Sequence, residues 1–173
     1  TGDGDTSTSD TLLVVATGQG AKHKPVRQAG DSHFRNFRAA LEALLIDLAC
    51  QVVKDGEGAS KFVTIDVVGA ASARAAKTIA LAIANSPLVK TAIAGGDANW
   101  GRIVMAVGKA GERADRDRMR IAIGGTTIAD KGEAVTGYDE TPVARHMQGQ
   151  DIHVDVDVGI GRGRARVWTC DLT

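Results

Sequence analysis

The chain has 173 residues with 21 basic and 21 acidic side chains, so its formal net charge is zero. This balance gives no support for a nucleic-acid partner or for a polybasic membrane surface. No apolar run in the sequence approaches the roughly 20 residues that span a bilayer, and the two cysteines fit no metal-ligand spacing. The composition therefore predicts one globular region with an aliphatic core and a cytoplasmic location.

The first half of the chain is predicted to open with turns and then to alternate strands and helices. Residues 11–18, TLLVVATG, form an apolar run long enough for a buried strand. Apolar residues recur at three- and four-residue steps over 34–52, which predicts a long amphipathic helix with Asp31 or Ser32 as its cap. DGEGAS breaks this helix, and residues 61–69 then alternate as a strand does.

The second half is predicted to mix helices and strands without a regular βαβ repeat. Its predicted elements are a helix over 71–85 capped by Ser72, a strand over 88–96, a helix over 99–111, a hairpin over 119–130, a short helix over 139–148, and strands over 151–159 and 164–170. The glycine-rich segment GIGRG is interpreted as a hairpin turn rather than a phosphate loop, because both its flanks alternate as strands. This pattern predicts an α+β fold with substantial antiparallel pairing.

The stretch DGEGASK, residues 55–61, concentrates two carboxylates and a lysine in seven residues. Gly56 and Gly58 free the backbone on both sides of Glu57. A carboxylate presented on a glycine turn can bind the ammonium group of a small amino acid. The alternative is a solvated loop after a helix, and the composition alone does not decide between the two.

A second unusual stretch, residues 85–102, surrounds several glycines with polar side chains and one of the two tryptophans. The polar members are Lys90, Thr91, Asp97, Asn99 and Arg102. Loops of this kind often carry function. The alternative is structural: Asp97 or Asn99 caps a helix and Trp100 covers a core edge. The four histidines are scattered, and His153 is interpreted as a surface residue on the polar face of a strand.

Four segments in chain order resemble the ornithine acetyltransferase family, whose members are also called glutamate N-acetyltransferases, of arginine biosynthesis. They are DGDTSTSDT, DGEGASK, NSPLVKTAIAGGDANWGR and WTCDL. The resemblance covers nearly all of the chain and is weakest over 110–150. It implies two stacked sheets flanked by helices, similar to the N-terminal-nucleophile hydrolases. It also implies that residues 1–173 are most of the β chain of a self-cleaved αβ enzyme.

The resemblance implies the reaction and the partners as well. In the family, a precursor cuts itself before a threonine, which then accepts the acetyl group of N-acetylornithine and passes it to glutamate. No cofactor is implied, although some members also use acetyl-CoA as a co-substrate. The expected partners are the α chain of the same precursor, in αβ heterodimers that assemble into a heterotetramer, and the substrates N-acetylornithine, ornithine and glutamate.

The resemblance transfers one substrate-binding residue onto this sequence, Glu57, whose expected role is to hold the amino group of ornithine or glutamate. A threonine with a free amine can be a nucleophile, but Thr1 is followed by Gly-Asp-Gly-Asp rather than by the apolar stretch of the family. The catalytic threonine is therefore expected upstream of Thr1, and further substrate-binding residues are expected in a tail beyond Thr173. The alternative function is a non-catalytic binding or scaffold domain that retains the fold.

Overall fold

The computed structural model describes residues 11–20 and 22–172, and these residues divide into two compact units, 11–51 and 52–172. The assignment of both units to one β chain stays a prediction. The interpretation of Thr1 lies outside the described residues. No helix in the described ranges is both long enough and apolar enough to cross a membrane.

The unit 11–51 holds most of the predicted long helix, α1 (Arg35–Lys54), preceded by a short 3-10 turn over Ser32–Phe34. The helix is confirmed, but the predicted cap is wrong for Asp31. The Asp31 carboxylate accepts the backbone N–H of Arg27 at 2.8 Å and makes no side-chain cap bond to the following turn. Oδ2 of Asp31 also accepts the Gln28 N–H at 3.5 Å, so this carboxylate stabilises the polar connector before the helix.

The strand predicted over 11–18 is wrong, since no strand forms there. Leu12, Leu13, Val14 and Val15 are between 69% and 86% exposed. A strand needs a neighbour for its backbone N–H and C=O groups, and none of the described strands pairs with this segment. Apolar content alone therefore overestimates local order here.

The unit 52–172 is built on a six-stranded sheet, whose order is β4-β3-β2-β5-β1-β6. The strands are β1 (Phe62–Ala70), β2 (Arg120–Ile123), β3 (Thr126–Asp130), β4 (Glu133–Ala134), β5 (Asp151–Asp157) and β6 (Gly163–Cys170). β1 and β5 run parallel, whereas the other neighbouring pairs are antiparallel. The predicted α+β class is confirmed, and the described residues contribute this one sheet to it.

Four helices complete this unit: α2 (Ala73–Ala84), α3 (Pro87–Ala94), α4 (Trp100–Lys109) and α5 (Glu140–Met147). α2 packs against β1 and β6 on one face of the sheet, and α4 packs against α2. The predicted cap is confirmed, because Ser72 Oγ accepts the N–H of Ala75 at 3.1 Å. Fully buried Val63, Ile65 and Val154 on this face meet small helix residues, giving the closely packed aliphatic core that the composition predicted.

The predicted strand over 88–96 is wrong, because most of this segment forms the helix α3. Ser86 is its N-cap, with Oγ accepting the N–H of Val89 at 3.4 Å, and Pro87 occupies the first turn. Serine before proline is a signal for the start of a helix as well as for the end of one. A short apolar run of this kind is compatible with a strand, but these two residues favour a helix.

The predicted hairpin at GIGRG is also wrong, since β5 and β6 are not neighbours. β1 lies between them, parallel to β5 and antiparallel to β6. The connection passes the end of β1, where the N–H groups of Ile160 and Gly161 donate to the Gly69 carbonyl at 2.7 and 2.6 Å. The alternation of side chains identifies a strand but does not identify its neighbours. The hairpin predicted at Gly124-Gly125 is confirmed between β2 and β3.

Candidate functional site

The loop between α1 and β1 presents Glu57 to solvent. Gly58 has a φ of +73°, a backbone conformation that glycine adopts without steric cost. Two turn bonds shape the loop: Gly56 N–H to Val53 O at 3.4 Å and Ala59 N–H to Gly56 O at 3.0 Å. The predicted presentation of a carboxylate on a glycine turn is therefore what the structure shows, while its role in substrate binding stays a prediction.

The far end of this loop is tied to Asp171, just beyond the end of β6. The Asp171 carboxylate accepts the Ser60 N–H at 2.9 Å, the Ser60 hydroxyl at 2.5 Å and the Lys61 N–H at 3.0 Å. Asp171 is only 2% exposed. Burial raises the pKa of Asp171, but the hydrogen bonds from Ser60 and Lys61 outweigh burial and hold that pKa below its ordinary value.

Two lysines fix the surroundings of this carboxylate. Lys61 Nζ donates to the carbonyls of Ile93 at 2.6 Å and Met147 at 2.9 Å, at the ends of α3 and α5. Lys90, which is buried on α3, donates to the Cys170 carbonyl at 2.7 Å and to Thr169 Oγ1 at 3.2 Å. The carbonyl-rich ends of helices favour such cations. The motifs DGEGASK and WTCDL, distant in sequence, thus form one bonded structure.

A shallow polar groove of about 210 Å³ lies beside the loop. Its lining residues are Lys54, Ala59, Ser60, Lys61, Phe62, Gln150 and Asp151. Lys54 Nζ sits 4.7 Å from the centre of the Phe62 ring, a cation–π distance, and 4.0 Å from an oxygen of Asp151. Ser60 and Lys61 line this groove and also donate hydrogen bonds to Asp171, so the Asp171 carboxylate shapes both the loop and the groove.

In the stretch 85–102, the polar side chains serve the fold. Asn99 Oδ1 caps α4 by accepting the Arg102 N–H at 3.1 Å, and Asn99 Nδ2 donates to Asp97 at 3.0 Å. Arg102 Nη1 donates to the Leu88 carbonyl at 2.8 Å, and Trp100 packs at the edge of the core. The capping interpretation is confirmed, with Asn99 rather than Asp97 as the cap.

A charged cluster that the sequence did not predict lies on the sheet face opposite α2. His153 Nε2 is 2.7 Å from Asp66 Oδ2 and 3.6 Å from Asp155 Oδ1. Arg166 binds both oxygens of Asp66, at 2.8 and 2.7 Å. Burial raises the pKa of Asp66, but the bonds from Arg166 and His153 lower it by more. The sequence of any single strand does not reveal this cluster, because β1, β5 and β6 each contribute part of it.

The Asp66, His153 and Asp155 side chains offer three potential metal-ligand atoms within 4.8 Å of one another. Arg166, however, already neutralises Asp66 through a bidentate pair, which would have to open before a cation could bind. The cross-strand register explains the cluster without an ion, since Asp66 lies opposite Asp155 and Arg166. We therefore interpret it as an ion-pair network.

The sequence profile of the ArgJ family matches residues 1–173. The arginine biosynthesis bifunctional proteins ArgJ of Gluconobacter oxydans and Brucella suis are 60% and 57% identical over 171 and 173 residues. Each alignment covers 99% of this chain but 40% and 42% of the relatives, so the chain spans about two fifths of their length. A crystal structure of the Bacillus halodurans ArgJ protein is similar with a TM-score of 0.91 and 38% identity, covering 100% of this chain and 80% of that one. Together with the motifs and the confirmed α+β fold, these findings show that the chain belongs to the ArgJ family.

Proposed function

We propose that this chain is part of an acetyltransferase of arginine biosynthesis, which moves an acetyl group from N-acetylornithine to glutamate. The family match over residues 1–173 supports this proposal, as does the name that the relatives share, arginine biosynthesis bifunctional protein. The observation that supports a substrate-binding site in this chain is the exposed Glu57 carboxylate. It lies on a turn whose far end is bonded to the buried Asp171.

The proposed reaction proceeds through an acyl-threonine intermediate. The hydroxyl of a threonine upstream of this chain attacks the acetyl carbonyl of N-acetylornithine, and its own α-amine takes the hydroxyl proton. Ornithine leaves with a proton as the acetyl ester forms. The ammonium of glutamate loses a proton to the threonine α-amine, and the neutral amine attacks the ester carbonyl. As the ester C–O bond breaks, the threonine oxygen takes a proton, which regenerates the threonine and releases N-acetylglutamate. Hydrogen-bond donors of the α chain stabilise the tetrahedral oxyanion in both steps.

Glu57 has the proposed role of holding the ammonium group of the amino-acid substrates. A carboxylate makes a charge-assisted bond to an ammonium, and an exposed position on a short loop lets it meet a ligand. Glutamate carries an α-ammonium, and N-acetylornithine carries at the same position an amide N–H that can also donate to a carboxylate. One carboxylate at the site therefore contributes to the binding of both the donor and the acceptor.

We expect Glu57→Ala, made in the product of the complete gene, to raise the KM for both N-acetylornithine and glutamate by about tenfold or more. The reason is the loss of a hydrogen bond to a charged group, worth about 1.5–3 kcal/mol. Glu57→Gln keeps the shape and removes the charge, so it should show most of the same increase. The measurement is steady-state acetyl transfer together with gel analysis of self-cleavage, which should be intact.

The matched control for this experiment is Glu133→Ala, which removes an exposed carboxylate from β4. Its KM values should equal those of the unchanged enzyme. If Glu57→Ala left both KM values unchanged, Glu57 would not be a substrate-binding residue.

The proposal includes the α chain of the same precursor as partner, assembly of αβ pairs into a heterotetramer, and a cytoplasmic enzyme without a cofactor. Transfer should therefore be found in the complete gene product and not in this chain alone. Native mass measurement gives the assembly state. Replacing N-acetylornithine by acetyl-CoA tests whether acetyl-CoA is a co-substrate. Inactivity of both products with either donor would favour the non-catalytic binding or scaffold domain.

A further inference from the structure

We propose that Asp171 is a positioning residue for amino-acid binding: it holds the loop 55–61 in the conformation in which Glu57 meets the substrate ammonium. This role rests on the proposed role of Glu57. Asp171 itself is 2% exposed, so it would act through the loop rather than by touching the substrate. Asp171 follows Lys61 by 110 residues in the sequence, and its carboxylate binds the end of the loop at Lys61.

The end of the loop satisfies the Asp171 carboxylate with several donors at once. One oxygen accepts two backbone N–H groups, from Ser60 and Lys61, while the other accepts the Ser60 hydroxyl. The backbone N–H of Asp171 in turn donates to the Lys61 carbonyl at 3.1 Å. Charge-assisted bonds to a buried carboxylate are stronger than neutral ones. The end of the loop is therefore held in position by four bonds to a single residue.

Asp171 is itself held firmly by its neighbours. The Lys90 ammonium binds the carbonyl of Cys170, the residue before Asp171, and also the Thr169 hydroxyl. Lys61 is fixed from the other side by carbonyls at the ends of α3 and α5. Asp171 can fix the loop only if Asp171 is itself held in place. Lys90 and Lys61 provide this support, because they connect Asp171 and the end of the loop to the helices α3 and α5.

The loop also has a composition that requires an anchor. Gly56 and Gly58 flank Glu57, and glycine loses more conformational freedom on ordering than any other residue. The turn bonds around Gly56 include one at 3.4 Å. A loop that had to order during binding would lose affinity, whereas a loop fixed beforehand keeps it. Asp171 supplies this preorganisation by binding the loop three residues after the functional carboxylate.

The test is made in the complete gene product with Asp171→Asn and Ser60→Ala. An asparagine of the same shape can direct its carbonyl oxygen to the two backbone N–H groups and its NH₂ group to the Ser60 hydroxyl, which can accept, so it removes the negative charge from these bonds without changing volume. Ser60→Ala removes the hydroxyl bond alone. We expect each variant to raise the KM for N-acetylornithine and glutamate by part of the factor seen for Glu57→Ala. For both variants, kcat should be nearly unchanged and self-cleavage should be complete.

A double-variant cycle separates positioning from general destabilisation. If Asp171 acts through Glu57, then Asp171→Asn adds no further increase in KM in a Glu57→Ala background. The matched control is Asp130→Asn, which changes an exposed carboxylate at the end of β3 and should leave every value unchanged. Thermal melting of each variant confirms that folded proteins are compared.

The outcomes distinguish the proposed role of Glu57 from the proposed role of Asp171. Unchanged KM in Glu57→Ala would overturn the role of Glu57 and with it the role of Asp171. An effect of Glu57→Ala without any effect of Asp171→Asn or Ser60→Ala would overturn positioning alone. Additive KM changes in the double variant, or a loss of kcat with KM unchanged, would also overturn it. If Asp171→Asn does not fold, an unchanged KM in Ser60→Ala overturns the proposal and a raised one supports it.

Discussion

Asp66 shows how one residue can depend on partners from two other strands. It lies on β1, faces Asp155 on β5, and would repel that like charge without Arg166 on β6 and the nearby His153. Its folded pKa is depressed, so its contribution to stability is present above the unfolded pKa near 3.8 and is lost as pH falls through the folded value. The pairing with Arg166 is thus a source of acid sensitivity.

We expect Arg166→Ala to lower the free energy of unfolding by about 1 kcal/mol at pH 7, because Arg166 is half exposed and solvent screens the pair. The difference from the unchanged chain should shrink as pH falls below about 3.8, where Asp66 becomes protonated in the unfolded state. Urea unfolding at several pH values measures this. Arg164→Ala, at an exposed position on the same strand, is the control. A difference that does not vary with pH would contradict this origin of the acid sensitivity.

At the scale of the elements, Gly69 near the end of β1 is constrained both by its backbone conformation and by the space around it. Gly69 has a φ of +71°, and a Cβ there would collide with the Asp157 carboxylate. The same carboxylate accepts the Gly159 N–H at 2.9 Å, so moving it aside would break this hydrogen bond in the connection that crosses the end of β1. The register between β1 and β6 also shifts over this segment. Glycine is therefore required by both conformation and space.

We expect Gly69→Ala to lower the free energy of unfolding by about 2 kcal/mol or more, since it adds backbone strain to a steric overlap. Gly108→Ala is the matched control, because Gly108 lies in α4 and an added Cβ would point into open space. Alanine favours a helix by about 1 kcal/mol over glycine. Thermal or denaturant unfolding should thus give changes of opposite sign. Equal changes would mean that Gly69 has no special role.

Across the whole molecule, burial is distributed unevenly. Among the described residues, every buried apolar side chain lies at Val53 or beyond, while the segment 12–15 and several apolar residues of α1 are exposed. The unit 52–172 therefore contains the core that the structure shows. Exposed apolar surface of this kind often marks an interaction site. It fits the proposed assembly with an α chain, which stays a prediction.

We expect residues 52–172 to fold without residues 1–51, because their sheet and helices bury a common core. The shortened chain should unfold cooperatively, with a Tm within about 5 °C of that of the full chain. Calorimetry and circular dichroism measure this. A chain 52–172 that lacks a cooperative transition would show that the preceding residues are needed for the core.

Local structure followed from the sequence wherever a pattern and the residues that bound it agreed. The alternation in β1 and β5, the Ser72 cap of α2 and the glycine pair between β2 and β3 each follow from interactions within a few residues. The loop around Glu57 could be singled out for the same reason, since its flanking glycines lie beside it in the sequence, whereas the substrate-binding role of Glu57 comes only from the family resemblance and stays a prediction. Family membership was likewise carried by contiguous motifs.

Features that depend on partners distant in the chain required the tertiary structure. TLLVVATG has the composition of a strand but has no neighbouring strand among those described, and GIGRG connects strands that β1 separates. The bonds from Asp171 to Ser60 and the cluster around Asp66 join residues about one hundred positions apart. Spacing along a chain specifies which face a side chain occupies. Which residue lies opposite is set by strand order and packing, because these bring together groups that no local pattern relates.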